Sequence, residues 1–178
     1  MTLAAAFVAV SMSAQVYVGG SVSMNAWSSQ KNNVVFGDKS ETTFKIMPEI
    51  GYNLNDEWAI GTVIGYESNK WTGVDGMSES AFTVAPYARY TFTKLGKVNL
   101  FVDGGVGFTS ASKADWTEFT AGLTPGLAVN LTDNISFVSH IGFIGYDLFN
   151  PDGDDNNISK FGLDLSGENL TFGLYFNF

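Results

Sequence analysis

The sequence predicts an all-β chain folded as a closed antiparallel, up-and-down β-barrel of about eight strands. Three observations predict it. Apolar residues alternate with a period of two through most of the 178 residues. One strand–turn–strand unit recurs at a fixed spacing. Connections alternate between short polar turns and long loops.

Residues Met1 to Ala14, MTLAAAFVAVSMSA, read as the apolar part and small-residue end of a secretory signal peptide. The basic n-region is missing and Met12 is large for a cleavage motif, so the segment reads as truncated at its start. The barrel is then expected over residues 15–178. Its first strand is Val16 to Ala26, followed by a polar loop from Trp27 to Thr42.

The organising hairpin is Phe44 to Tyr66. Phe44, Ile46, Pro48, Ile50, Tyr52 and Leu54 share one face, and Lys45, Met47, Glu49, Gly51 and Asn53 the other. After Asn55-Asp56-Glu57 the alternation resumes in phase, with Leu54 opposite Trp58 and Tyr52 opposite Ile60. A loop from Glu67 to Ser80 follows. Phe82–Phe92 and Val98–Phe108 pair around Thr93–Lys97, and a further loop covers Thr109 to Thr117. Phe119–Leu131 and Ile135–Gly145 pair around Thr132-Asp133-Asn134. The longest loop runs from Tyr146 to Glu168, and Leu170–Phe178 is the last strand. Pro48, Pro86 and Pro125 recur at intervals of about 38 and about 39 residues. Each partner strand carries an inward glycine: Gly65, Gly105 and Gly142. A mid-strand proline removes a ladder donor, and a local bulge is the expected remedy.

Composition narrows the function. Cysteine is absent, which excludes a disulfide framework and thiolate metal sites. The net charge of −9 argues against nucleic acid as a partner. After the first segment no apolar run is long enough for a spanning helix, so a membrane could be crossed only by a closed barrel. The second face of the strands decides that question. It is mostly Gly, Ala, Ser, Thr and Asn, the small side chains that a narrow lumen holds. Every strand charge lies on it: Lys45, Glu49, Glu67, Arg89, Asp103 and Glu118, with His140 beside them. A Lys or Arg on a lipid face at mid-bilayer costs about 2–4 kcal/mol, which explains the exclusion. The apolar face therefore looks outward and the barrel is transmembrane. Tyr52, Trp58, Tyr90, Phe92, Phe137 and Phe176 fall near the turn rim as an aromatic girdle.

Several groups invite a functional reading. Arg89, Glu49, Asp103, Lys45, Glu67 and His140 form an expected lumen charge cluster, with Asp103 opposite Tyr87 and diagonal to Arg89. It reads as a plug that neutralises buried charge, and otherwise as a selectivity or proton-gating ring. No catalytic residue is assigned: Ser139 points away if His140 points in, so the pair is no dyad. Asp152-Gly153-Asp154-Asp155-Asn156-Asn157 fails the EF-hand spacing and reads as a solvated acidic loop. The sequence implies neither a metal nor a cofactor. The glycine pairs at 19–20 and 104–105 are barrel geometry, because no helix follows them.

The last strand carries the most specific pattern. Thr171, Gly173, Phe176 and Phe178 resemble the C-terminal β-signal read by the outer-membrane assembly machinery. With PEIGYNLNDEWAIG, APYARYTFTKLGKVNLFVDGGVGF and TPGLAVNLTDNISF, the chain resembles the outer-membrane protein β-barrel domain family of Gram-negative bacteria, akin to small OmpX-like and OmpA-type barrels. The resemblance covers Gln15 to Phe178. It implies an integral outer-membrane location, lipid and lipopolysaccharide as surroundings, assembly machinery and periplasmic chaperones as partners in biogenesis, and a monomer. It fixes no molecular activity. The function expected is a non-enzymatic structural or surface-interaction barrel, with a narrow porin-like channel or transporter as the alternative. A soluble lipocalin-like carrier and an enzyme are further alternatives.

Overall fold

The computed structural model describes residues 15–29, 39–72, 78–112, 116–151, 157–165 and 170–178. The expected signal segment 1–14 and most of the acidic run after Pro151 lie outside them. Among the described residues all regular elements are strands: β1 (Val16–Ser29), β2 (Lys39–Asn53), β3 (Trp58–Thr72), β4 (Ser78–Leu95), β5 (Val98–Ala111), β6 (Thr117–Asn130), β7 (Ile135–Ile141), β8 (Phe143–Asn150), β9 (Ile158–Asp164) and β10 (Leu170–Asn177). Eight of them close a ring in the order β1-β2-β3-β4-β5-β6-β7-β10, antiparallel throughout. β8 prolongs β7 along the far half of β6, and β9 pairs with β8.

The first hairpin has the expected register, Tyr52 against Ile60 and Asn53 against Ala59. Asn55 holds its turn: the side-chain oxygen accepts from the backbone N–H groups of Glu57 and Trp58, each at 2.9 Å. This is the side-chain mimicry that favours Asn in turns. Thr132 does the same for the third hairpin, accepting from Ile135 at 3.0 Å.

The second hairpin departs from expectation. β4 runs on to Leu95, and the turn is only Gly96-Lys97, with Gly96 at φ 63°. Left-handed backbone at a two-residue hairpin turn suits glycine. A bulge between Thr91 and Thr93 then shifts the register by one residue. Asp103 is therefore directly opposite Arg89, and Gly105 opposite Tyr87, in place of the diagonal arrangement expected.

The strands are also longer than expected. β4 has 18 residues, and β1, β2, β3, β5 and β6 have 14 or 15. A tilted strand crosses a bilayer in about 9–11 residues, so the remainder projects beyond it. The loops 27–42, 67–80 and 109–117 shrink accordingly. The loop 146–168 loses the most, because it holds the end of β8 and all of β9. The expected single strand Ile135–Gly145 is broken at Gly142, whose φ of 75° makes it the extra residue of a bulge. Beyond it the phase is reversed: Phe143 faces the lumen, while Ile144 and Tyr146 face out.

The three prolines share one behaviour. On the side facing the following strand the ladder lapses at Met47–Pro48, at Ala85–Pro86 and at Thr124–Pro125. On the other side each proline keeps its rung: Gly20 with Pro48, Thr62 with Pro86, Val102 with Pro125. A missing donor removes rungs on one edge only. The expected bulge occurs at the third site alone, where Gly142 takes it up. At the first two the register resumes unshifted.

Candidate functional site: the lumen plug

Ile50, Leu123 and Trp58 are 50%, 49% and 44% exposed on the outer wall, whereas Glu49, Asp103 and Arg89 are 6%, 7% and 8% exposed within. Such an inversion, with aliphatic side chains outside and ions inside, is stable only where the surroundings are hydrocarbon.

Arg89 is the centre of the lumen. Its Nε donates to Asp103 Oδ1 at 2.7 Å and its Nη2 to Asp103 Oδ2 at 2.8 Å. This bidentate fork needs the carboxylate directly across the hairpin, which the bulge before Thr93 provides. Nη2 also reaches Glu49 Oε1 at 3.4 Å. Glu49 accepts from two phenols, Tyr87 on Oε1 and Tyr175 on Oε2. The Tyr17 and Tyr87 hydroxyls lie 2.6 Å apart. His140 completes the set. Its Nε2 is 2.9 Å from Asp103 Oδ2 and its Nδ1 is 3.3 Å from the Thr171 hydroxyl. With Nε2–H donating to Asp103 and Nδ1 accepting from the Thr171 hydroxyl, both contacts are satisfied. The guanidinium also sits among four rings, with centroids at 4.0 Å for Phe101, 5.2 Å for Tyr87 and 5.6 Å for Tyr17 and Tyr175. All are within cation–π range.

These aromatics lie on the inner face, which the sequence reading assigned to small side chains. The packing shows how both fit. Each ring lies across a glycine on the adjacent strand: Tyr17 over Gly51, Tyr87 over Gly61, Phe101 over Gly126, and Tyr175 over Gly19. The first three are directly opposed pairs. A Cβ at any of these glycines would overlap the ring. Glycine in a strand marks a close approach, and here the approaching group is an aromatic face. A detectable signal did exist: an inward aromatic opposed by glycine across a hairpin.

Of the six residues expected to cluster, four come together: Arg89, Glu49, Asp103 and His140. Lys45 and Glu67 do not join them. They form a separate cross-strand pair at 2.8 Å, nearer the loop side and partly exposed. The girdle residues lie on the outer wall at the turn side, where the rings of Trp58 and Tyr90 meet at a tilt with centroids 4.7 Å apart. In β10 and the residue after it, Phe176 and Phe178 face out, Thr171 faces His140, and Gly173 packs against the Gly20 carbonyl.

The plug divides the lumen. On the turn side lies a polar chamber of about 430 Å³ whose lining includes Asn53, Asn99, Asn130, Asn177 and Lys94. On the loop side lies a chamber of about 220 Å³ lined by Met47, Val63, Ala85, Gly107, Gly122 and Phe143, with Glu49, Asp103 and His140 as its floor.

An apolar outer band around an ion-filled lumen defines a transmembrane β-barrel. The chain belongs to the outer membrane protein beta-barrel domain family, which matches residues 1–178, and it is an integral protein of the Gram-negative outer membrane. Among solved structures, Neisserial surface protein A is similar at 18% identity and a TM-score of 0.54, over 93% of this chain and 98% of that one. The Yersinia pestis outer membrane protein Ail is similar at 13% identity and a TM-score of 0.44, over 92% and 99%. No protein of curated function matches in sequence.

Proposed function

We propose that this protein is a non-enzymatic barrel that anchors its loop-side rim in the outer membrane for a structural or surface-interaction role, with its lumen closed to solutes. The observation that carries this reading is the Arg89 plug. A guanidinium held by two carboxylates and walled by four rings leaves little room for a hydrated ion. Charges this buried persist only when fully paired, so opening the lumen means breaking several bonds together. The histidine supports no hydrolytic chemistry, since His140 is engaged with Asp103 and Thr171 while Ser139 belongs to the outward phase of β7. In this reading Thr171, Gly173, Phe176 and Phe178 serve recognition by the assembly machinery, periplasmic chaperones deliver the chain, lipopolysaccharide surrounds the monomeric barrel, and no cofactor takes part.

The narrow-channel reading rests on one feature: chambers lie on both faces of a single plug. Conductance in planar bilayers separates the two. The wild type should be silent, and Arg89→Ala should show openings. Steady wild-type currents of defined amplitude would overturn the closed-lumen reading.

A further inference from the structure

Among the described residues, the ladders do not close the wall of this barrel to its full height. The β1–β10 ladder extends no further toward the loops than the rung Ser21 with Gly173. β1 continues to Ser29, paired there, among the described residues, with β2 alone. The strand that should flank it there, β9, has among the described residues a ladder with β8 only and ends the sheet order. A seam therefore runs between β1 beyond Ser21 and β9 over Ile158–Leu163, on the loop side. β9 and the residue after it present apolar side chains there: Phe161 is 80% exposed, and Ile158, Leu163 and Leu165 are exposed as well.

What lies behind the seam is unusual for a small lumen. The loop-side chamber is walled mainly by Met47, Val63, Ala85, Phe143 and four glycines, with Thr120, Thr124 and Thr171 between them. Phe143 faces inward only because Gly142 reverses the phase, and its ring lies over Gly122 and Gly145. A smaller cavity of about 80 Å³ adjoins it, sharing Met47, Val63, His140 and Thr171. That cavity is bounded by Gly20, Ser21 and Gly173, the residues at the last closed rung. The apolar space thus reaches the point where the wall opens. Its floor carries charges that already have partners, so a ligand with a charged end gains little there. A dry apolar cavity of about 150 Å³ is enough to take up benzene. Unpaired strand edges are tolerated only where headgroups or water can hydrate them, at the interfacial end of the wall.

We infer that the loop-side chamber is a binding site for the alkyl chain of an outer-leaflet amphiphile, admitted sideways through the seam between β1 and β9. The tail occupies the space between Met47, Val63, Ala85 and Phe143. The headgroup remains at the interface beside Val22 and Leu163. The closed plug and this site are compatible, because the tail stops above Glu49 and His140.

The test uses the full-length barrel in phosphatidylcholine vesicles with two photoreactive lysophosphatidylcholines, one with a diazirine at mid-chain and one with a diazirine beside the headgroup. Adducts are mapped by peptide mass spectrometry. The mid-chain probe should label Met47, Val63 or Phe143, besides Ile50 and Leu123 on the outer wall. Ala85→Phe, which fills the chamber, should lower the inner adducts at least tenfold and leave the outer ones unchanged. Asn99→Phe, in the turn-side chamber, should change neither. Val63→Phe replaces Ala85→Phe if the latter does not insert. The headgroup probe should label Val22 or Leu163. Mid-chain adducts confined to the outer wall, or inner adducts that survive filling of the chamber, overturn the site. Headgroup adducts on Lys45 and Glu118, at the loop mouth of the lumen, overturn the sideways route.

Discussion

On the turn side, β1 is paired on both edges, Arg89 is held by two carboxylates, and each inward ring lies against a glycine of the neighbouring strand. On the loop side, β9 has among the described residues a ladder with β8 alone, the interior is a largely apolar chamber, and the ion pair of Lys45 with Glu67 is partly exposed. The same chain builds both, with the same period of two. The difference shows that alternation supplies a wall, whereas stability depends on what fills the inside of it. A narrow lumen packed with opposed ring–glycine pairs is a core in its own right.

The largest effect should come from Arg89→Ala. Removing one member of a buried charge set leaves Glu49 and Asp103 uncompensated, at a cost of about 3–5 kcal/mol. Urea unfolding in vesicles, followed by heat-modifiable migration on gels, measures it. A loss below about 1 kcal/mol would mean that water reaches the plug and the two halves are alike. Next is the outer wall. Ile50→Lys should cost about 2–4 kcal/mol in vesicles by the same assay, and far less if that residue sat above the hydrocarbon.

A glycine pair sharpens the contrast between the halves. Gly126→Ala drives a methyl into the Phe101 ring and should cost about 1–3 kcal/mol. Gly162→Ala, in β9, meets nothing within 4 Å and should be neutral or slightly stabilising. Equal effects at the two sites would remove the packing distinction. Small as well should be the effect of Lys45→Met. Its ion pair is exposed enough to be screened, so the change should stay within about 1 kcal/mol.

Much of this was legible beforehand. The face assignments of Ile50, Trp58 and Glu49, the in-phase turn at Asn55, and the separation of short turns from long loops all follow from alternation and turn chemistry. The pairing of Arg89 with Asp103 was not legible as a direct rung, because the bulge at Phe92 is marked only by Lys94 and Leu95 exchanging faces beyond it, which reads as the start of the turn. β9 was hidden for a related reason. Past Gly142 the phase reverses, and the alternation of Phe161, Leu163 and Leu165 with Lys160, Gly162 and Asp164 is short and sits inside a stretch whose Asn, Asp and Gly content reads as loop. The inward roles of Tyr17, Tyr87, Phe101 and Tyr175 were missed because aromatic side chains suit lipid as well as a lumen; only the glycine across the hairpin separates the cases.

The sequence by itself determined the class of wall, its orientation and the side on which charge must hide, since each follows from side-chain periodicity and the cost of ions in hydrocarbon. The tertiary structure alone decided which charges meet, where the ladder lapses beside a proline, and how far up the first and last strands are joined. Those depend on single-residue shifts between strands distant in sequence, such as β1 with β10, and a period of two is blind to them.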